Sequence, residues 1–417
     1  AAGSNFNVPR STFVDCMKAL KEDARLALEG LPWEYGDAAE MQRLSAKYAG
    51  ADQGKVIRVF GANFIGRMSG KVVEAFVAKA DLLAASPAYS DQSGVDWKTA
   101  AASAAKVLNH IGGVDGMDPT GWTWYCNVDD IEKLSPTESP AEILWRGERA
   151  KSLSLEEDNF PPTLYGNGRI NPTQNLVDAF PMLNGYPVSH LSGEYDENLP
   201  YANRDPRLEA YILYNGCKAG NTNKEIFTAA DGTTNDALNK VVGRSTRTGY
   251  YLRKLLRQDI SLDPNAKADQ YHYTPRIRYT EIFLAYAEAA NQAYGPQDKG
   301  GNGYSAYDVV KKLRHRAGIG RDNGDAYLES IKNDQAKMAE LIRNERRIEL
   351  CFEGFRFWDL RRWKSNLTET AKGMNISGTR YTPMEVDKRS FSEYMYYGPI
   401  PYSEVLKYDE LKQNQGW

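Results

Sequence analysis

Glu345, Glu349 and Glu353 recur every four residues through the stretch IRNERRIELCFEGFRFWDLRRW, residues 342–363. On a helix their carboxylates stack along one face. Arg343, Arg346, Arg347, Arg356, Arg361 and Arg362 lie within a turn or two, interleaved with Leu341, Ile348, Leu350, Phe352, Phe355, Phe357 and Trp358. That much apolar surface implies burial, and buried charges persist only when paired; the planar fork of arginine suits bidentate pairing with carboxylate. Two chemistries follow. One is a catalytic carboxylate cluster, with Glu349 and Glu353 as the acid/base pair of a helical glycoside hydrolase. The other is a satisfied ionic network that locks a helix into its neighbours. Nearby arginines lower carboxylate pKa values, the wrong direction for a general acid. The two carboxylates also lie one turn apart on one helix, whereas a glycosidase needs them opposed across a cleft. The structural reading is the stronger. Gly354, where the helical pattern breaks, is placed as a C-terminal cap.

A second group of residues suits binding. Tyr (26) and Trp (8) outnumber Phe (13), which favours rings with a polar handle, as wet concave surfaces use. Sugar recognition lays such rings against the apolar faces of pyranoses and sets amides and carboxylates on the hydroxyls. The densest local set is GWTWYCN, residues 121–127, with Trp122, Trp124 and Tyr125; the competing role for these rings is to plug the core beneath the loop. Tyr195 in SGEYDEN, and Phe227 with Asn221 and Asn223 in AGNTNKEIF, are further ligand-binding candidates on loops.

Other chemistries find little support. The four cysteines (Cys16, Cys126, Cys217, Cys351) form no CxxC pair and the four histidines no HExxH, so neither a zinc site nor a disulfide framework is expected. No cofactor is expected. Calcium held by loop oxygens, with Asp129 and Asp130 as donors, has no motif that would reveal it. There is no P-loop, nucleophile elbow or dinucleotide fingerprint, so no enzyme activity is expected. A net charge of −3 argues against a broad nucleic-acid surface. No apolar run is long enough to span a membrane.

The elements that must position these groups are mainly α-helical. Helical spacing covers residues 11–29, 63–85 and 96–111, with Asp96 as an N-cap. The alanine-rich faces of the second and third suit close packing in tetratricopeptide-like hairpins. Residues 112–275 are rich in Gly, Pro, Asn and Asp and are expected to be irregular, with short strands and long loops. Within them, 171–181 should be helical, with Asn171 capping and Pro172 in the first turn, and 210–214 reads as a strand. The turn at Asn203-Arg204-Asp205-Pro206 should fix its own backbone through its side chains. Helices resume at 276–294, 305–317 and 335–352. The chain is thus read as a single domain with a helical-repeat part (1–111), an irregular loop-rich part (112–275) and a helical C-terminal part (276–417).

Four blocks resemble one family. The stretch from Glu345 to Trp363 is similar to the late-chain pattern E-R-R-x-E-L-x-F-E-G-x-R-W-x-D-L-R-R-W of the SusD/RagB outer-membrane nutrient-binding lipoproteins. NPTQNLVDAFPMLNGYP with NRDPRL, then IRYTEIFLAYAEA, and finally PIPYSEV with QNQGW resemble further family segments in the right order. Asp409 and Trp417 depart mildly from that ending. The resemblance implies a SusD-like α–α superhelix without catalysis. It implies a cell-surface protein at the outer membrane that binds a glycan or oligosaccharide and hands it to a SusC-like TonB-dependent transporter. Peptide binding, as in RagB-like proteins, is the alternative ligand class. Family members begin with a lipidated cysteine and a long N-terminal helical region. Here the chain starts at Ala1-Ala2-Gly3-Ser4 and Cys16 falls inside an amphipathic helix, so the lipid anchor and part of the N-terminal region are expected to be missing from it.

Overall fold

The computed structural model describes residues 6–48, 52–135 and 138–417. Three long helices open it: α1 (Phe13–Gly30), α2 (Gly70–Ala85) and α3 (Trp97–Asn109). Asp96 caps α3 as expected, its side chain accepting from the Thr99 amide at 2.8 Å. α2 starts seven residues later than its apolar spacing suggests, because residues 62–64 form a separate short turn and the chain enters the helix at Ser69. Ala75 and Ala78 of α2 and Ala100, Ala101, Ala104 and Ala105 of α3 are buried, and α2 packs on α3. Small side chains let two backbones approach closely, which is what the alanine-rich faces provide.

The loop-rich middle is threaded by short ladders. β1 (Ile143–Arg146) and β2 (Ala150–Ser152) precede the short helix α4 (Pro206–Tyr211). β3 (Gln270–His272) and β4 (Pro275–Arg278) return antiparallel to them, β3 on β2 and β4 on β1. The expected strand at 210–214 is found at its centre, and its first two residues end α4, where Asp205 accepts from the Arg207 amide at 2.9 Å and Pro206 stands in the first turn. Only Ile212–Leu213 is extended. The segment at 171–181 gives one helical turn, Gln174–Val177, capped by Thr173 and not by Asn171. Arg204 ties its turn to other segments instead of to its own backbone, donating to the Pro200, Val177 and Phe180 carbonyls at 2.6–2.7 Å.

The C-terminal helices are α5 (Tyr279–Tyr294), α6 (Ala306–Ala317), α7 (Gln335–Glu349) and α8 (Phe355–Arg362). α5 is the central rod. It packs on α3, α6 and α7, and every residue from Tyr279 to Asn291 is buried, so the single inner stripe read from the sequence is a helix enclosed all round. α6 opens with a capping box between Ser305 and Asp308. A hairpin follows, β5 (Ala371–Ser377) with β6 (Arg380–Asp387), which periodicity did not single out. Met374 and Ile376 of β5 enter the core of the loop-rich region beside Trp124, Phe180, Tyr211 and Tyr250. The last part of the chain thereby closes the middle. Among the described residues no helix is long and apolar enough to cross a membrane.

Candidate functional site

The carboxylate ladder is only partly a ladder. α7 ends at Glu349; Leu350–Glu353 form a turn with Phe352 at φ +64°, and Gly354, at φ +85°, opens α8 instead of closing α7. Glu345 and Glu349 are fully buried on α7, while Glu353 hangs from the turn. Their partners are not the arginines next to them in sequence. Arg207 of α4 donates to Glu345 at 2.8 Å and Glu349 at 3.1 Å, and grips Asp205 at 2.6 Å. Arg314 of α6 bridges Glu345 (2.8 Å) and Asp325 (2.5 Å). Arg278, at the end of β4, reaches Glu142 at 2.7 Å and Glu353 at 2.8 Å, and Arg316 comes to 3.4 Å from Glu142 and 3.5 Å from Glu349. Lys254 joins Glu353 at 2.7 Å and donates to the Glu349 carbonyl.

Glu142 also caps the start of α5, its backbone carbonyl accepting from the Tyr279 amide (2.8 Å) and its side chain from the Thr280 amide (3.2 Å). Arginines of α7 and α8 make a second set: Arg346 and Arg362 share Asp359, and Arg362 with Trp363 Nε1 holds Glu288 of α5.

This arrangement is a clamp. Burial by itself would raise the Glu349 pKa, but Arg316, Arg207 and Arg278 overcome it and hold the carboxyl at about 2. Glu353 is likewise held low: burial raises it, and Arg278 and Lys254 prevail. Neither carboxyl can donate a proton near neutrality.

Beside the clamp lies a cavity of about 470 Å³, within the range of small-ligand sites. The interrupted ribbon β1–β2/β3–β4 forms one side, and the turn after α7 and the start of α8 form another. Leu155, Leu255, Ile277 and Phe355 give apolar wall; Glu148, Ser152, Thr274 and Arg276 bring polar groups. Four further lining residues carry a buried polar atom with no hydrogen-bond partner: Trp124 Nε1, His272 Nε2 (3.4 Å from Glu156), the Tyr273 hydroxyl and Glu281 Oε2. Burial raises the Tyr273 pKa, keeping it a neutral hydroxyl, and raises that of Glu281 against the opposing Lys79, whose Nζ lies 2.7 Å from its other oxygen.

Trp124 and Tyr125, read from the sequence as stacking rings on a loop, are 4% exposed each. The turn at 121–127 packs on α4, where the Tyr125 hydroxyl donates to the Ala210 carbonyl at 2.8 Å and Tyr211 donates to the Trp122 carbonyl at 2.8 Å. They line the cavity as wall and offer no open ring face. Gly121 serves packing and not flexibility: a Cβ there would lie 2.2 Å from Glu142 Oε2 and 2.8 Å from Arg316 Nη1. Trp122 is half-buried and outside the cavity lining, as are Tyr195, whose ring faces Arg204 at 5.6 Å, and the exposed Asn221 and Phe227. Asp129 pairs with Lys133 and Asp130 accepts from Asn127 at 2.7 Å; among the described residues no three His, Cys, Asp or Glu side chains gather as metal ligands. The sequence reading missed Tyr273, Arg276 and Glu281. The alternating QYHYTPRIR at 270–278 was the available signal, at the very point where loop gives way to helix.

The SusD family profile matches residues 145–417, which takes in β4, the clamp apart from Glu142, and the hairpin. The chain belongs to the SusD family. SusD-like protein P38 and SusD-like protein P2 of Formosa agariphila are 33% and 32% identical over 85 and 152 residues. Those matches span 20% and 36% of this chain, and 16% and 26% of the two relatives, so only a minor part of either is shared. Among solved structures, a SusD-like protein from Bacteroides fragilis superposes with a TM-score of 0.72 at 25% identity, covering 100% of this chain and 74% of that one. A SusD-like carbohydrate binding protein from Bacteroides fragilis gives 0.62 at 22% identity, over 97% and 75% of the two chains. The mainly helical SusD-like fold expected from the motifs is the one observed.

Proposed function

We propose that this SusD-family chain is a cell-surface glycan-binding protein that takes an oligosaccharide into the cavity beside β4 and passes it on unmodified. The observation that carries this reading is the lining: Leu155, Leu255, Ile277 and Phe355 as apolar wall for the faces of pyranose rings, with Glu148, Ser152, Thr274 and Arg276 as polar groups for sugar hydroxyls. A relative of the same fold described as carbohydrate binding supports the ligand class. Family membership supports the finer role, delivery to a SusC-like TonB-dependent transporter at the outer membrane, with attachment through a lipid anchor.

A hydrolytic reading has one observation in its favour. Glu281, with a raised pKa, and Glu353, with a lowered one, line the same cavity, the pattern of an acid and its partner carboxylate. Both are tied down, Glu281 to Lys79 and Glu353 to Arg278 and Lys254, so neither is free to reach a glycosidic oxygen. An array of glycans and peptides, followed by a reducing-end assay on each glycan retained, decides between the readings. Binding without new reducing ends is expected. Retention of peptides alone, or turnover abolished by Glu281→Gln, would overturn the proposal.

A further inference from the structure

On the other side of the α7–α8 turn from the sugar cavity, sharing no lining residue with it, is an open cavity of about 400 Å³. Arg343 and Arg347 face it from successive turns of α7, and Arg356 from the first turn of α8. All three are half-buried, and their situation differs from that of the buried arginines of the clamp and of α8. Arg207, Arg278, Arg314, Arg346 and Arg362 each hold at least one carboxylate. Arg347 and Arg356 make no hydrogen bond and no ion pair with any described residue, and Arg343 has only the Trp363 ring, 5.1 Å away. Glu340 and Glu369 line the same cavity, yet neither comes within ion-pair distance of a guanidinium.

A half-buried guanidinium without a carboxylate partner keeps only part of its hydration. Burial accordingly lowers the pKa of Arg347, against the opposing charge of Glu369, and burial with the like charge of Arg347 brings Arg356 down to about 10. Both remain charged at neutral pH, with all their N–H donors unused. Helix α7 therefore spends two kinds of arginine. Arg346 is buried in the clamp, while its neighbour Arg347 is kept out of every internal pair.

We infer that Arg343, Arg347 and Arg356 form an oxyanion-binding site, shaped for the carboxylate or sulfate ester of an acidic saccharide or for the free inorganic oxyanion. Guanidinium forks meet carboxylate and sulfate oxygens in bidentate geometry, and two forks on adjoining helices can share one such group. Asn344, Ser365 and Asn366 in the same lining add polar groups suited to a sugar that carries the charge. This site stands apart from the cavity that serves the proposed function, and it holds whether or not that cavity binds sugar.

Calorimetric titration with sodium sulfate, D-glucuronate and uncharged D-glucose at low ionic strength, on the wild type and on Arg347→Gln and Arg356→Gln, tests it. Sulfate or glucuronate should bind and glucose should not, with affinity falling as salt rises. Glucuronate tighter than sulfate points to a saccharide-borne anion, and equal affinity to the oxyanion alone. Each variant should lose roughly ten- to hundred-fold in affinity. Because neither arginine is paired, both variants should melt at or above the wild-type temperature, whereas Arg346→Gln should melt lower. Failure of both anions to bind the wild type, or unchanged affinity in both variants, would overturn the inference. So would a fall in melting temperature for both variants as large as that of Arg346→Gln, since it would show the arginines to be structural.

Discussion

Replacing Glu349 by Gln keeps the shape of the side chain and removes one charge from the middle of the clamp. Glu349 is fully buried; its oxygens lie 3.1 Å from Arg207, 3.5 Å from Arg316 and 3.8 Å from Arg278. Two routes give the size of the effect. A carboxyl whose pKa falls from 4.5 to about 2 is favoured in its charged form by about 3 kcal/mol, at ~1.4 kcal/mol per unit. Breaking a buried ion pair by removing one partner costs about 3–5 kcal/mol. Here the lower figure is expected, because Arg207 keeps Asp205 and Glu345, and Arg278 keeps Glu142 and Glu353. For 417 residues unfolding in one transition, about 3 kcal/mol corresponds to a fall of roughly 3–4 °C in Tm.

The pH dependence sharpens the test. Because the folded-state pKa is depressed, the stabilisation is complete above about pH 4.5 and is lost as the pH falls toward about 2. Differential scanning calorimetry from pH 7 to pH 2.5 should therefore show the wild-type and Gln curves converging in acid. Equal Tm values at pH 7, or a gap that widens in acid, would refute the structural assignment of Glu349.

Gly121→Ala should destabilise by about 1–3 kcal/mol in chemical denaturation, because its Cβ would collide with Glu142 and Arg316; wild-type stability would mean that Glu142 does not sit against this turn. Trp124→Ala should cost about 3–5 kcal/mol, as expected for a buried ring, and a near-neutral effect would return Trp124 to the role of an open platform. Tyr273→Phe removes a buried hydroxyl that has no protein partner, so Tm should stay level or rise; a clear fall in Tm would mean that the hydroxyl is bonded within the fold.

The helices were legible where local signals act alone. Asp96 caps α3, alanine faces pack α2 on α3, and the Glu/Arg-rich stretch of α7 is a buried ionic network. What escaped was long-range pairing. The carboxylates of α7 are neutralised by Arg207, Arg278, Arg314 and Arg316 from other elements, and the arginines beside them in sequence serve Asp359 and Glu288 or none at all. No spacing rule links residue 207 to residue 345. The same holds for the binding residues. A Trp-Tyr pair in a polar loop looks like a platform, yet at Trp124 and Tyr125 the loop folds back on α4 and turns both rings inward. The cavity is assembled from segments more than a hundred residues apart, β1–β2 with β3–β4, which periodicity cannot join. The β5–β6 hairpin was missed because alternation in AKGMNIS is weak, and its inner face is decided by a core contributed from elsewhere.

The most direct measurement is calorimetric titration of an oligosaccharide retained on the array against the wild type and Leu155→Arg. Leu155 lines the cavity yet is 44% exposed, so an arginine there can obstruct the space without emptying the core. With circular dichroism showing the variant folded, affinity should fall by at least about ten-fold. Undiminished binding by the folded variant would contradict the assignment of this cavity as the glycan site.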